Sequence, residues 1–429
     1  GNIWRFPYLA AKYGGGIFLL IYIILAFTFG YTMIMAETAL GRMTKKSPVG
    51  AFSAFGKGPG LSFGGWINAI IPILIVPYYS VIGGWVIKYL VEYLLGGGSA
   101  LAQDGYFSGF ISNGVSVELC FLAFTLFTLA IIFAGVRNGV ERVSKCMMPV
   151  LAVLSVIIAV YSVTRPGALA GVKYFLVPNL DNFSWMTVVS AMGQMFYSLS
   201  IAMGILITFG SYMKKDVSIE DSTTNVEIFD TAIAIMAGLM IIPAVFAFSG
   251  GDPDTLQAGP ALMFITIPKV LDSMGMGTVV GVLFFVLVLF AAVTSSIALT
   301  ESAVSTFEDE LGWKRHKSTL LIGVIMVALG SLSALGYGPL GEVTVFGMQF
   351  LDLFDFLTNS VMMPIAAIAI CLLVSRVIGV EKIEEEVTQE GGRFRRKAIF
   401  NFMLRYLCPL FAAIILVSSV ANALGWIKM

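Results

Sequence analysis

Four groups of polar residues in this 429-residue chain stand inside apolar stretches. Each offers oxygen atoms of the kind that hold a hard cation or the polar end of a ligand. Asp230 opens the uncharged run 231–251, and the apolar pair Ile228 and Phe229 precedes it. An acid at that depth is an ion ligand or a proton site. The plain alternative is a first-turn acid, which the macrodipole favours at a helix N-terminus. Thr294, Ser295 and Ser296 follow Ala291-Ala292-Val293 in a very apolar stretch, so hydroxyl and carbonyl oxygens gather at one depth. Such oxygens suit sodium, and they equally suit back-bonding within a helix. The run Phe196-Tyr197-Ser198-Leu199-Ser200-Ile201-Ala202-Met203-Gly204 clusters small and hydroxyl residues midway along an uncharged segment. Gly1-Asn2-Ile3-Trp4-Arg5 sets an amide and a full charge just before another apolar run. Arg5 either reaches an interface or pairs with a carboxylate, for which Asp355, at the end of its own apolar segment, is the candidate.

The elements that must position these groups are membrane helices. Hydrophobic residues make up 58% of the chain and charged residues 12%, against roughly 25% charged in a soluble domain. Uncharged apolar runs cover 17–36, 66–87, 119–136, 146–164, 182–213, 231–251, 278–300, 318–341, 356–375 and 406–427. Each is near or above the ~20 residues that span a bilayer. Continuous apolarity, without the alternation of barrel strands, predicts helices: ten spans after a short helical piece over 1–13. Most of the 26 Lys and Arg fall in the loops of one side, which is therefore cytoplasmic. Glu381 to Arg396 is read as a solvated cytoplasmic connector, acidic and then basic. His316, the one histidine, stands among charged residues and is read as a solvated loop residue. Cys120, Cys146, Cys371 and Cys408 lie too far apart for a metal-ligand spacing. Zero net charge points away from a nucleic-acid partner.

Two segments depart from a simple span. The run 182–213 would measure about 48 Å as one helix, too long for a ~30 Å core. A break at its polar midpoint would expose backbone groups to ions and ligand ends, whereas an unbroken helix would use the small residues for packing. Gly139 and Pro149 bracket residues 140–148 at the cytoplasmic start of a span. Both weaken helices, so the stretch either unwinds locally or carries a proline kink. Gly14-Gly15-Gly16 is a tight turn.

Several motifs together resemble the neurotransmitter:sodium symporter family over essentially the whole chain. They are Gly1–Pro7 with Gly14-Gly15-Gly16, Glu37 with Gly41-Arg42, Gln194 to Gly204, Thr294-Ser295-Ser296, and Glu308-Asp309-Glu310-Leu311. The resemblance implies an all-α integral membrane protein with the leucine-transporter fold: a 5+5 inverted repeat, broken helices 1 and 6, and eleven spans, the first partial. One transmembrane domain over 1–429 then divides into a first repeat at 1–164, a second at 182–377 and an eleventh helix at 398–427. Asn2, Ser198 and Asp230 match ligands of a first sodium site, and Ala291 (by its carbonyl), Thr294 and Ser295 those of a second. Gly1 resembles the backbone amide that meets a substrate carboxylate, and Tyr79 the tyrosine that hydrogen-bonds it. Tyr197, Ser198, Ser200, Met203 and Leu299 would line the substrate pocket. Arg5 with Asp355 resembles an outer gate, with Gln194 nearby. Ser211, Tyr212 and Asp309 resemble inner-gate elements, and the Gly139–Pro149 spacing a helix-unwinding motif.

The implied activity is sodium-coupled symport of an amino acid across a bacterial inner membrane, with lipid and a small-molecule substrate as partners. Two departures matter. The chain opens without Met, so the inner half of helix 1 is expected in a longer parent protein, which would be the transporting species. Animal members balance the first sodium site with chloride near a serine one turn beyond an asparagine. Here the ligand position is Asp230, and Ala234 stands one turn on, so chloride independence is expected; a shifted register would put Asn225 there instead. Ala202 stands where Gly is usual and Met203 where Phe is common, and a flexible Met would accept larger apolar groups. A proton-coupled carrier of the same fold is the alternative, as is a non-transporting sensor or channel-like member. Polar residues gathered at one depth, without a continuous stripe or charged ring, argue against a channel. An enzyme is not expected, since no nucleophile–base set, catalytic acid pair or phosphate loop is present.

Overall fold

The computed structural model describes residues 2–3, 5–251 and 262–427. Among the described residues nine helices are long and apolar enough to cross a membrane. They are Gly16–Thr44, Pro59–Leu94, Gly114–Phe133, Val136–Val163, Ile219–Ser249, Gly277–Leu311, Arg315–Leu335, Phe350–Ile378 and Lys397–Ala423. Large apolar side chains on their outward faces are exposed, among them Leu119, Leu126, Val156, Val324 and Val417. Such surfaces are stable against lipid and not against water. The protein is a multi-pass membrane protein.

The segment expected as a tenth span, 182–213, is two helices, Trp185–Ser198 and Ile205–Tyr212, neither long enough to cross alone. The opening piece forms helix Arg5–Lys12, and Gly14 and Gly15 turn the chain at φ 114° and 61°. Residues 136–163 stay helical, π-helical over Val136–Glu141 and α-helical through Pro149, so the expected unwinding between Gly139 and Pro149 is not present in this structure. His316 stands in the first turn of a helix, not in a loop, and stacks on Phe133 at 4.2 Å. On the outer side, Lys269 Nζ meets Asp104 Oδ1 at 2.5 Å and holds that carboxyl below its usual range.

The connector 381–396 is not simply solvated. It contains helix Val380–Val387, whose Val380, Ile383, Val387 and Glu386 are buried. Glu386 pairs with Arg42 at 2.8 Å, and Arg396 grips Glu227 with two bonds of 3.0 Å. Their partners are distant in sequence, so local charge pattern misreads them as solvent-facing. A charge buried in a membrane protein persists only with a counter-charge and filled hydrogen bonds.

The short helix Ile205–Tyr212 packs backbone to backbone on the inner half of Gly16–Thr44. A Cβ on Gly41 would lie 2.0 Å from the Ile207 carbonyl oxygen, and one on Gly210 2.4 Å from that of Thr38. Gly41→Ala is expected to cost about 1–3 kcal/mol by overpacking. A lowered thermal midpoint of the detergent-solubilised protein would report this; an unchanged midpoint would show that the two backbones do not meet so closely.

Candidate functional site

Helix Trp185–Ser198 starts where the Thr187 hydroxyl accepts the Ser184 amide at 3.2 Å. It stops because Ser200 and Ala202 both adopt φ 59°, followed by Gly204 at 75°. Left-handed backbone at Ser and Ala costs ~1–2 kcal/mol each and cannot continue a helix. The compensation is Glu37, fully buried on Gly16–Thr44, whose two carboxylate oxygens each accept the Ala202 amide at 3.2 Å. The break leaves helix-end backbone and the Ser198 hydroxyl facing the middle of the molecule.

Asp230 is eleven residues into Ile219–Ser249, not at its first turn. Its carboxylate gathers donors from three other elements. Asn2 Nδ2 donates to Oδ1 at 3.0 Å and to the Asp230 carbonyl at 3.3 Å. Ser198 Oγ donates to Oδ1, and Tyr22 OH to Oδ2 at 2.6 Å. Gln194 Nε2 donates to Asn2 Oδ1 at 3.2 Å, which fixes the Asn2 amide with its nitrogen toward Asp230. The structure therefore brings Asn2, Ser198 and Asp230 together, and Asp230, not Asn225, takes the central place. Ala234, one turn on, is fully buried and apolar.

Ala291, Thr294 and Ser295 share one face of Gly277–Leu311. Thr294 Oγ1 bonds back to the carbonyls of Phe290 at 2.9 Å and Ala291 at 3.0 Å. All three border a cavity of about 660 Å³ that Asn2, Ser198 and Asp230 also border. A smaller cavity of about 230 Å³ adjoins it, lined by Tyr79, Tyr197, Ser198, Ser200, Met203 and Leu299. Ile75, Met148, Ile205 and Ala298 complete an apolar wall, and Thr294 and Ser295 border both cavities. Every described residue expected around the substrate lines this one space; Gly1 lies outside the described residues.

The expected gates are arranged differently. Arg5 and Asp355 form no ion pair in this structure. The Arg5 guanidinium lies over the Tyr197 ring, 5.3 Å from its centroid. Asp355 accepts from Tyr78 OH at 3.2 Å and from Asn359 instead. Both neutral donors reach Oδ1 of the carboxylate, and the aromatic face holds the cation. Gln194, expected by the outer gate, is committed to Asn2. On the inner side, Tyr212 OH bonds Glu301 at 2.6 Å, and Arg315 grips the same carboxylate. Asp309 accepts the Ser47 amide at 2.7 Å, and Ser211 Oγ donates to the Thr208 carbonyl of its own helix.

Tyr22 and Glu301 were not singled out from sequence. Tyr22 stands in a featureless apolar run, and the signal was that a phenol buried in a membrane helix must find an acceptor.

Comparison with known proteins shows what the chain is similar to. The family model described as the sodium:neurotransmitter symporter family matches residues 1–96 and 108–426. An uncharacterized sodium-dependent transporter of Bacillus subtilis, YhdH, is 34% identical over 97% of this chain and 92% of its own length. The sodium- and chloride-dependent GABA transporter 2 of Macaca fascicularis is 27% identical over 95% of this chain and 74% of its own. The crystal structure of MhsT in complex with L-phenylalanine superposes with a TM-score of 0.86 at 34% identity, covering 97% of this chain and 95% of that one.

Proposed function

The chain belongs to the sodium:neurotransmitter symporter family, a family of sodium-dependent transporters and not of enzymes, and we propose that it is a sodium-coupled symporter of apolar or aromatic amino acids working by alternating access without chloride. In this reading it has the leucine-transporter fold, with helices 1 and 6 broken and repeats at 1–164 and 182–377 before the eleventh helix. The observation that carries the proposal is the carboxylate of Asp230 among Asn2, Ser198 and Tyr22, beside the cavity that Thr294 and Ser295 also border.

Amide and hydroxyl partners leave the Asp230 charge uncompensated, and oxygen donors at that spot suit sodium. At about 4 Å and an effective dielectric of about 20, a carboxylate beside a sodium ion is worth about 4 kcal/mol, and a chloride next to that carboxylate is repelled by as much. Ala291, Thr294 and Ser295 are assigned to a second sodium. Gly1 and Tyr79 are assigned to the substrate carboxylate. Sodium-driven uptake by the full-length protein in proteoliposomes should therefore be unchanged when gluconate replaces chloride. Asp230→Asn should sharply weaken sodium activation. Collapse of uptake in gluconate, or normal sodium dependence in Asp230→Asn, would remove Asp230 from this role.

The side-chain cavity carries Ile75, Met203 and Leu299 and no charged residue. A charged substrate side chain would be buried without a partner, which is strongly unfavourable. The phenylalanine held by MhsT agrees with an apolar or aromatic substrate. In competition assays leucine and tryptophan should displace the substrate and lysine and glutamate should not; preference for either charged amino acid would overturn this assignment.

Closure on the outer side is assigned to Arg5 leaving Tyr197 for Asp355. Arg5→Ala is expected to lower uptake at least tenfold, within the range for removing one member of a desolvated pair. Arg5→Lys should recover little, because the planar fork and its ring stacking are lost. Near-normal uptake by Arg5→Ala would show the pair to be dispensable.

A further inference from the structure

Between helices 185–198 and 219–249, the chain crosses the cytoplasmic end of the molecule at 213–217, directly after Tyr212. Helix Ile205–Tyr212 has only eight residues, so its position depends on what holds its two ends. The upper end is held at Ala202 by Glu37. The lower end is held by Arg42, 1% exposed, which donates to the carbonyls of Lys214 at 3.2 Å and Val217 at 2.5 Å. The rest of that guanidinium is taken by Glu386, 4% exposed: Nε to Oε1 at 2.8 Å and Nη2 to the Glu386 carbonyl at 2.7 Å. Lys215, in the same connection, reaches Glu386 with bonds of 2.8 and 3.0 Å.

We propose that Glu386, in the connector between the last two membrane helices, is a positioning residue for transport: through Arg42 and Lys215 it holds the 213–217 connection and so sets Tyr212 in its inner-side bond to Glu301. One carboxylate neutralises two cations from two other elements. Without it, the buried Arg42 guanidinium loses its counter-charge and faces the like charge of Lys215, and the connection is pushed off its seat. The Tyr212 hydroxyl, 2.6 Å from Glu301, sits at the end of the helix that this connection anchors. The segment that brings Glu386 is seated independently by Arg396 on Glu227 and by the Arg395 amide on Glu220 at 2.7 Å. The connector thus ties the final two helices to the moving core of the transporter, and this role rests on the transport reading given above.

The test uses Glu386→Gln in the full-length protein, which keeps size and hydrogen-bonding capacity but removes the charge. Backbone hydrogen exchange over 205–217 is expected to accelerate about tenfold while exchange in Gly114–Phe133 stays at the wild-type rate. Sodium-driven uptake should fall, and combining Glu386→Gln with Tyr212→Phe should lower it no further than the worse single variant, because both act through one contact. Lys215→Met, which removes a 39%-exposed ammonium, is the milder variant should Glu386→Gln fail to fold, and should accelerate exchange in the same segment. Acceleration spread evenly over the molecule, or uptake losses that multiply in the double variant, would overturn the proposal. Absence of sodium-driven uptake in the wild type would instead overturn the transport reading, and the exchange comparison would still decide whether Glu386 holds the connection.

Discussion

Both oxygens of the Glu37 carboxylate accept one backbone amide, that of Ala202, and the site depends on that contact. Between residues 199 and 204 the chain runs through two non-glycine residues in left-handed backbone. Unsupported, such a stretch would relax into a continuous helix and close the gap that Ser198 and Ser200 border. A fully buried carboxylate is costly by itself, and a strained turn is costly by itself. Placed together, each supplies what the other lacks: the turn offers a free amide donor, and the carboxylate fixes the turn. Gly41, on the same helix as Glu37, lets Ile205–Tyr212 come close enough for this to happen.

Partner chemistry sorts the buried and half-buried acids. Glu386, Glu227 and Glu301 each meet a guanidinium. Asp230 is met by an amide and two hydroxyls, and Asp355 by a phenol and an amide. Arginine-paired carboxylates are spent charges that hold elements in place. Carboxylates surrounded by neutral donors keep an unbalanced charge, so a cation has something to gain by arriving. The assignment of sodium to Asp230, and of Asp355 to a gate that an arginine can reach, follows the same distinction.

What could be read from sequence is what local pattern encodes. A segment of 32 residues without charge is too long for one span, and its hydroxyl-rich middle left a break or helix packing open; in the structure helix Trp185–Ser198 ends there and Ile205–Tyr212 begins beyond it. Asp230 stood out because an acid inside an apolar run is expensive wherever it sits. Tyr79, Tyr197, Ser198, Ser200, Met203 and Leu299 followed from motif resemblance and meet at the smaller cavity, whereas Ile75, Met148, Ile205 and Ala298 did not. What escaped depends on contacts between residues far apart in the chain. Arg42 and Glu386 are 344 positions apart, and nothing near either one says that the connector folds back. Tyr22 is 208 positions from Asp230. Arg5 was paired with Asp355 by charge and by motif resemblance, whereas the structure places it on an aromatic face that sequence cannot locate.

Three of the contacts that fix the stretch from 199 to 217 differ in kind. At Ala202 a backbone amide faces a carboxyl group with no other hydrogen-bond partner among the described residues, so release would leave a buried polar group unsatisfied. At 213–217 the Arg42 fork makes four bonds and closes a buried ion pair, whose loss costs about 3–5 kcal/mol. At Tyr212 a single phenol meets Glu301, a bond to a charged acceptor worth about 1.5–3 kcal/mol, and Arg315 still satisfies that carboxylate when the phenol leaves. Release at Tyr212 leaves no charge stranded on either side. Of these three contacts, Tyr212–Glu301 is the one that can be released without leaving a carboxylate unpaired.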